Sequence, residues 1–145
     1  MLERRLDEAR LTLPQEAWAL LGAQAELCAD LAGCILLTPT DAWRERLAAL
    51  QQSSARNHHA AELFRLLAAS ATTAEVDGRG RLTLPHLHLQ WAGITPNKGV
   101  VVVQLAGGVE VWEPRRLALH LRTANRQIRE LDTAILREQL SLMEE

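Results

Sequence analysis

Apolar and polar residues alternate along Arg10-Leu11-Thr12-Leu13 and again along Arg81-Leu82-Thr83-Leu84. Period two with a β-branched residue inside predicts two short strands. Each strand ends at a proline, and Pro14 and Pro85 suit the first turn of a helix, where a missing N–H costs nothing. The helical turns Gln15–Leu21 and His86–Ala92 follow, with Gly22 and Gly93 expected as left-handed caps. Cys34–Leu37, Gly99–Gln104 and Val109–Trp112 also read as strands, the last two joined through Ala106-Gly107-Gly108 as a hairpin. Asp77-Gly78-Arg79-Gly80 forms a turn between Ala74–Val76 and Arg81–Leu84, its glycines free to take positive φ. A helix over Asp41–Gln52 is expected, capped by Thr40 or Asp41, with Trp43, Leu47 and Leu50 on one face. A second starts at Ser53 or Ser54 and runs to about Ser70, burying Leu63, Phe64, Leu66 and Leu67. From Pro114 the chain is helical to its end. Leu117, Leu121, Ala124, Ile128, Leu131, Ile135 and Leu142 follow a 4-3 spacing broken once, at Glu138. That seam suits packing on its own domain or against a neighbouring subunit.

These patterns occur twice. Arg10-Leu11-Thr12-Leu13-Pro14 returns unchanged 71 residues on as Arg81 to Pro85, each copy preceded by an aspartate, Asp7 and Asp77. A tryptophan and a glycine follow each proline, Trp18 and Gly22, then Trp91 and Gly93. Leu31-Ala32-Gly33 returns as Leu105-Ala106-Gly107, and the runs after them end at Pro39 and Pro114. Conserved order of this kind marks an internal repeat. The expected organisation is a first unit over 1–52, a linking helix over 53–73, a second unit over 74–113 and a C-terminal helix over 114–145. Within the second unit, Leu84 and Trp112 are expected in the core, and Gly80 in a conformation hostile to side chains.

Composition narrows the function classes. The 145 residues are 48% hydrophobic and 23% charged, which excludes wholesale disorder. A net charge of −2 excludes a generically basic nucleic-acid binder but leaves room for a local basic patch. The longest apolar runs are too short to span a bilayer, and Met1-Leu2-Glu3-Arg4-Arg5 leads into no signal region, so a cytoplasmic location without membrane contact is expected. Cys28 and Cys34 have no second pair to complete a zinc site and form no CxxC motif, so they read as small buried hydrophobes. His58-His59 and His86 with His88 lack partners at ligand spacing. No nucleophile elbow, P-loop or nucleotide fingerprint is present. No enzyme activity, cofactor, metal or small-molecule substrate is expected.

Val76-Asp77-Gly78-Arg79-Gly80-Arg81-Leu82-Thr83-Leu84-Pro85, then Trp91-Ala92-Gly93-Ile94 and Val109-Glu110-Val111-Trp112-Glu113, resembles the second half of the MraZ family. Leu6-Asp7, Arg10 to Pro14, Gly33 to Leu37, Pro39 and Trp43 resemble its first half, and Arg65-Leu66-Leu67 with Ala69 its inter-unit helix. The resemblance implies an α+β fold of two interleaved AbrB-like swapped-hairpin units, a pseudo-duplicated barrel with linking helices and a C-terminal helix. It further implies a bacterial transcriptional regulator of the division and cell-wall gene cluster, assembled as a ring-like homo-oligomer on promoter DNA in the nucleoid. DNA would be met by basic residues of the two turns: Arg79 and Arg81 in the second, Arg10 with Arg5 and Arg4 in or beside the first. The first turn departs from the pattern. Asp7-Glu8-Ala9-Arg10 is one residue shorter, lacks the glycine and carries Glu8 where a basic residue is expected, and Leu89 replaces an arginine in the helix after Pro85.

Arginine is the side chain for this task, because its planar fork meets phosphate or guanine edges with two hydrogen bonds. Arg79 should project from the loop tip, whereas Arg81 opens a strand and is placed to pair with Asp77. Binding is therefore expected mainly from the second turn. Two or three arginines per copy make a weak, salt-sensitive complex, so the DNA reading requires an oligomer that repeats the patch. The reading from another class is an oligomeric scaffold or interaction module that keeps the fold without DNA contact. An antitoxin-like AbrB protein fits less well, given the duplicated unit.

Overall fold

The computed structural model describes residues 1–144 and contains thirteen elements. In chain order they are β1 (Leu2–Arg5), β2 (Arg10–Thr12), α1 (Gln15–Leu21), β3 (Gln24–Ala29), β4 (Ile35–Pro39), α2 (Thr40–Ser54), α3 (His58–Ser70), β5 (Thr72–Glu75), β6 (Arg81–Thr83), α4 (His86–Ala92), β7 (Gly99–Gln104), β8 (Val109–Trp112) and α5 (Pro114–Glu144). They fall into two compact units, Met1–Pro114 and Arg115–Glu145. The first is α+β, and the described residues of the second are helical.

Six antiparallel strands form a sheet in the order β1-β7-β8-β4-β3-β5, and β2 pairs with β6 in a separate ribbon. The order links the two halves of the chain. β1 lies against the β7–β8 hairpin of the later half, and β5 against the β3–β4 hairpin of the earlier half. Each half thus lends a strand to the other. Among the described residues the pairings give an open sheet and a ribbon, with no closed barrel.

Period-two alternation explains the layers. Leu27, Ile35, Leu37, Val109 and Val111 point to one face of the sheet, where Leu11, Leu13, Leu82 and Leu84 from the ribbon strands and their flanks close a common core. Cys28 and Leu36 point to the other face and meet Trp43 of α2 and Leu67 of α3. Leu84 and Trp112 are both about 1% exposed, as the pattern requires. On α3 only Leu67 is fully buried, with Leu63, Phe64 and Leu66 half-buried.

Several local expectations are corrected. Residues 24–29 carry no strand signal in the sequence, yet β3 sits between β4 and β5. Neither Thr40 nor Asp41 caps α2: the helix begins at Thr40 itself, after Pro39 in extended geometry, and no side-chain cap bond forms. Ser53 and Ser54 end α2 rather than start α3. The cap of α3 is Asn57, whose Oδ1 accepts from the amides of His59 (2.9 Å) and Ala60 (3.4 Å). Gly93 closes α4 in the left-handed helical region, but Gly22 ends α1 at φ 73°, ψ −147°, outside that region.

Candidate nucleic-acid interface

Leu11 and Leu82 point from the β2–β6 ribbon into the core, so the residues that alternate with them face outward. The register sets Arg10 opposite Thr83 and Thr12 opposite Arg81. Two arginines and two threonines therefore share one outer face. The ladder extends at both ends: the Leu13 amide donates to the Gly80 carbonyl and the Leu84 amide to the Ala9 carbonyl, each at 2.8 Å. Each turn is thereby fixed to the start of the helix that follows the opposite strand.

The second turn is built around one carboxylate. Asp77 accepts from the amides of Arg79 (2.8 Å) and Arg81 (3.0 Å) and from Nε of Arg81 (2.8 Å). Those amide bonds, then the Arg81 guanidinium, hold the Asp77 carboxyl down at about 2. Gly80 closes the turn at φ +77°, with its amide on the Asp77 carbonyl at 3.0 Å. Arg81 is half-buried and committed to this ion pair. Arg79 is exposed at the tip, and its backbone, but not its guanidinium, is tied to Asp77. The geometry orders the loop and leaves one fork facing outward.

The first turn reaches a similar end by other means. Asp7 and Arg10 exchange backbone bonds of 3.0 and 2.8 Å around Glu8-Ala9, so one residue fewer gives a two-residue hairpin. Its φ is positive at Glu8 (56°) and not at Ala9, the sign pattern of a type II′ turn. Glu8 holds that conformation because Asn97 grips it: the Glu8 amide donates to Asn97 Oδ1 at 2.7 Å and the Asn97 amide donates to the Glu8 carbonyl at 3.0 Å. Arg10 pairs with Asp7 at 2.7 Å, as Arg81 does with Asp77. Arg5 is exposed and donates through Nε to the Asn97 carbonyl at 3.1 Å; Arg4 is half-buried and donates to the Glu3 carbonyl at 3.2 Å. The exposed tip of this turn is thus an acid, Glu8, with Arg5 beside the same Asn97 loop.

Asn97, Thr12 and Thr83 were not legible as parts of this surface. Their roles depend on pairing between segments some 70 to 90 residues apart, and only the duplicated Arg-x-Thr spacing hinted that the threonines share a face with the arginines. The tryptophans also diverge. Trp18 lies under the second turn, in contact range of a Cβ placed on Gly80, whereas the indole N–H of Trp91 donates to the Asp30 carbonyl at 2.9 Å.

Of the remaining chemical groups, His88 and both cysteines are buried in the fold. His86 is exposed while His88 is buried, with Nε2–H donating to the Ser70 carbonyl at 2.7 Å, so the two do not converge. Both cysteines are free and buried. Burial pushes the Cys28 thiol up to about 11, with nearby Arg46 opposing. The Cys34 thiol is raised further by burial and then by Glu110 and Asp30, so it stays protonated and donates between those two carboxylates at 3.7 and 3.9 Å. Among the described residues no helix is long and apolar enough to cross a membrane.

No protein-family model matches the chain. It is 32% identical to the transcriptional regulator MraZ of Corynebacterium glutamicum over 124 residues, 79% of this chain and 78% of that protein. It is 29% identical to the protein of the same name from Thermomicrobium roseum over 112 residues, 77% of this chain and 78% of that one. The corresponding figures for Nitrosospira multiformis are 29% over 122 residues, 81% and 82%.

Proposed function

The chain belongs to the MraZ family of transcriptional regulators, and on that premise we propose that it binds duplex promoter DNA with the outer face of the β2–β6 ribbon and the second turn. The observation that carries this reading is the ordered turn at Asp77–Arg81, which fixes its backbone with Asp77 and presents Arg79 outward. A two-stranded ribbon fits the major groove of B-form DNA, where arginine reads guanine edges and threonine meets base edges or phosphate. Arg79 makes the leading contact. Arg81 and Arg10 offer their remaining N–H groups from the ribbon, and Arg5 and Arg4 flank the first turn. The exchange of β1 and β5 between halves supports a swapped-hairpin organisation, and the promoter is that of the division and cell-wall cluster. The protein acts as a ring-like homo-oligomer on the nucleoid, without a cofactor.

A salt-titrated gel shift with Arg79→Ala and Arg10→Ala tests the assignment, with sedimentation as the control for assembly. Arg79→Ala is expected to weaken binding and lower the slope of log K against log salt by about 1. Arg10→Ala should change binding much less, because Glu8 and Asp7 already repel phosphate at that tip. The opposite ranking, with the oligomer intact, would show that the wrong turn was chosen. One observation favours a second reading, an oligomeric scaffold without DNA contact: the acid Glu8 occupies the first turn's tip. Absence of binding to any duplex at low salt would overturn the DNA reading and favour that alternative.

A further inference from the structure

Helix α5 carries an apolar stripe with nothing of its own unit to cover it. Leu121, Ile128, Leu131 and Ile135 are 44% to 60% exposed and lie on the 4-3 spacing of a coiled-coil seam, with Ala124 and Glu138 at the two remaining inner positions. Charge along the helix is segregated. From Pro114 to Arg129 there are five arginines and no acid, whereas Glu130, Asp132 and Glu138 outnumber Arg137 over the next nine residues. Arginines in the first half oppose the helix macrodipole, so this distribution does not serve the helix in isolation.

We propose that this stripe is covered by α5 of a second copy, running antiparallel with Ile128 and Leu131 at the centre. The proposal rests on the homo-oligomer reading above and specifies how its helices meet. Four features select the direction. In an antiparallel pair centred there, the layers join Ile128 to the partner's Leu131, Ala124 to the partner's Ile135, and Leu121 to the partner's Glu138. The smallest seam residue then faces a large one, whereas a parallel, in-register pair sets alanine against alanine and leaves a void. A parallel pair also sets Glu138 against the partner's Glu138 inside the seam, a like-charge contact in a desolvated layer. The antiparallel pair places each Glu138 beside the half that holds Arg122 and Arg126, and lays basic half against acidic half along the whole contact. Helix dipoles oppose in the same arrangement.

Disulfide trapping in the full-length protein reads the direction. Residues 121 and 138 are 17 apart, about 26 Å along one helix, and a disulfide needs Cα atoms within about 7 Å. Leu121→Cys and Glu138→Cys chains, co-expressed and mildly oxidised, are expected to give a mixed covalent dimer, and either variant alone is expected to give little. Ala124→Cys with Ile135→Cys repeats the measurement one layer further in, should the first pair disturb folding. The native thiols are buried and give the unreacted baseline. Efficient dimers from Glu138→Cys alone would establish a parallel pair and overturn the proposal. No dimer from either mixture, with sedimentation still showing an oligomer, would overturn the helix pairing and leave the assembly standing. A stable 16.1 kDa species would remove both.

Discussion

Gly80 holds φ at +77°, and a Cβ built on it would lie 2.9 Å from Cε3 of Trp18. Two penalties therefore meet at one atom, backbone strain and a clash with an indole that is itself wedged against the core. Gly80→Val is expected to destabilise the protein by about 1 kcal/mol or more, read as a lowered urea midpoint with an unchanged slope. An unchanged midpoint would mean that the turn relaxes freely. Asp77, three residues earlier, predicts a pH response. Its carboxyl ionises near 2 in the folded protein and near 3.9 in an unfolded chain. Between those values the unfolded state binds more protons, so the contribution of Asp77 is complete above about pH 4 and is lost as pH falls through 2. Amide shifts of Arg79 and Arg81 should move with a midpoint near 2 in the wild type. In Asp77→Asn, which keeps an acceptor oxygen but has no proton to gain, that transition should vanish.

Asn57 caps α3 with one side-chain oxygen shared between two amides. Asn57→Ala is expected to cost about 1 kcal/mol, measured by denaturant unfolding, whereas Ser54→Ala should cost little because its hydroxyl only bonds back to Gln51 at the end of α2. The sequence pointed to Ser53 or Ser54 as the start of α3, and no local signal singled out Asn57. β3 was hidden for a different reason. Ala25-Glu26-Leu27-Cys28-Ala29 has no β-branched residue and a composition that favours helix, and it is a strand because β4 and β5 pair with it on both sides. The recurring tripeptide held the missing signal, since Leu31-Ala32-Gly33 follows β3 as Leu105-Ala106-Gly107 follows β7. Elements with local patterns were legible: β2, β6, α1, α4, β7, β8 and α5 as far as Glu144. The second turn was legible too, including the Asp77–Arg81 pair and the outward Arg79. The ribbon face and the Asn97 clamp were not, because both arise from register between distant segments.

The whole chain is acidic, with a net charge of −2, and the proposed contact surface of one copy amounts to a handful of arginines, two of them shared with aspartates. A single copy therefore gains little from counterion release, so its affinity should be low and its salt slope shallow. An assembly changes this, because once one copy is bound the next meets its site at an effective concentration fixed by the geometry of the oligomer. Avidity of this kind raises affinity by roughly 10²–10⁴-fold without any new contact. Duplexes carrying one, two and three copies of the recognised element should therefore bind with sharply rising affinity, and the salt slope should steepen as sites are added. The gain should also depend on spacing, since elements that the assembly cannot bridge count singly. An assembly-deficient chain, obtained by placing arginines at Ile128 and Leu131 in the α5 seam, separates the terms. If α5 pairing contributes to the oligomer, that variant keeps the single-site affinity and loses the increment from the second and third elements. Equal affinity of the intact protein for one and three elements would show instead that each copy binds alone, and that recognition must reside in contacts stronger than Arg79 and the ribbon provide.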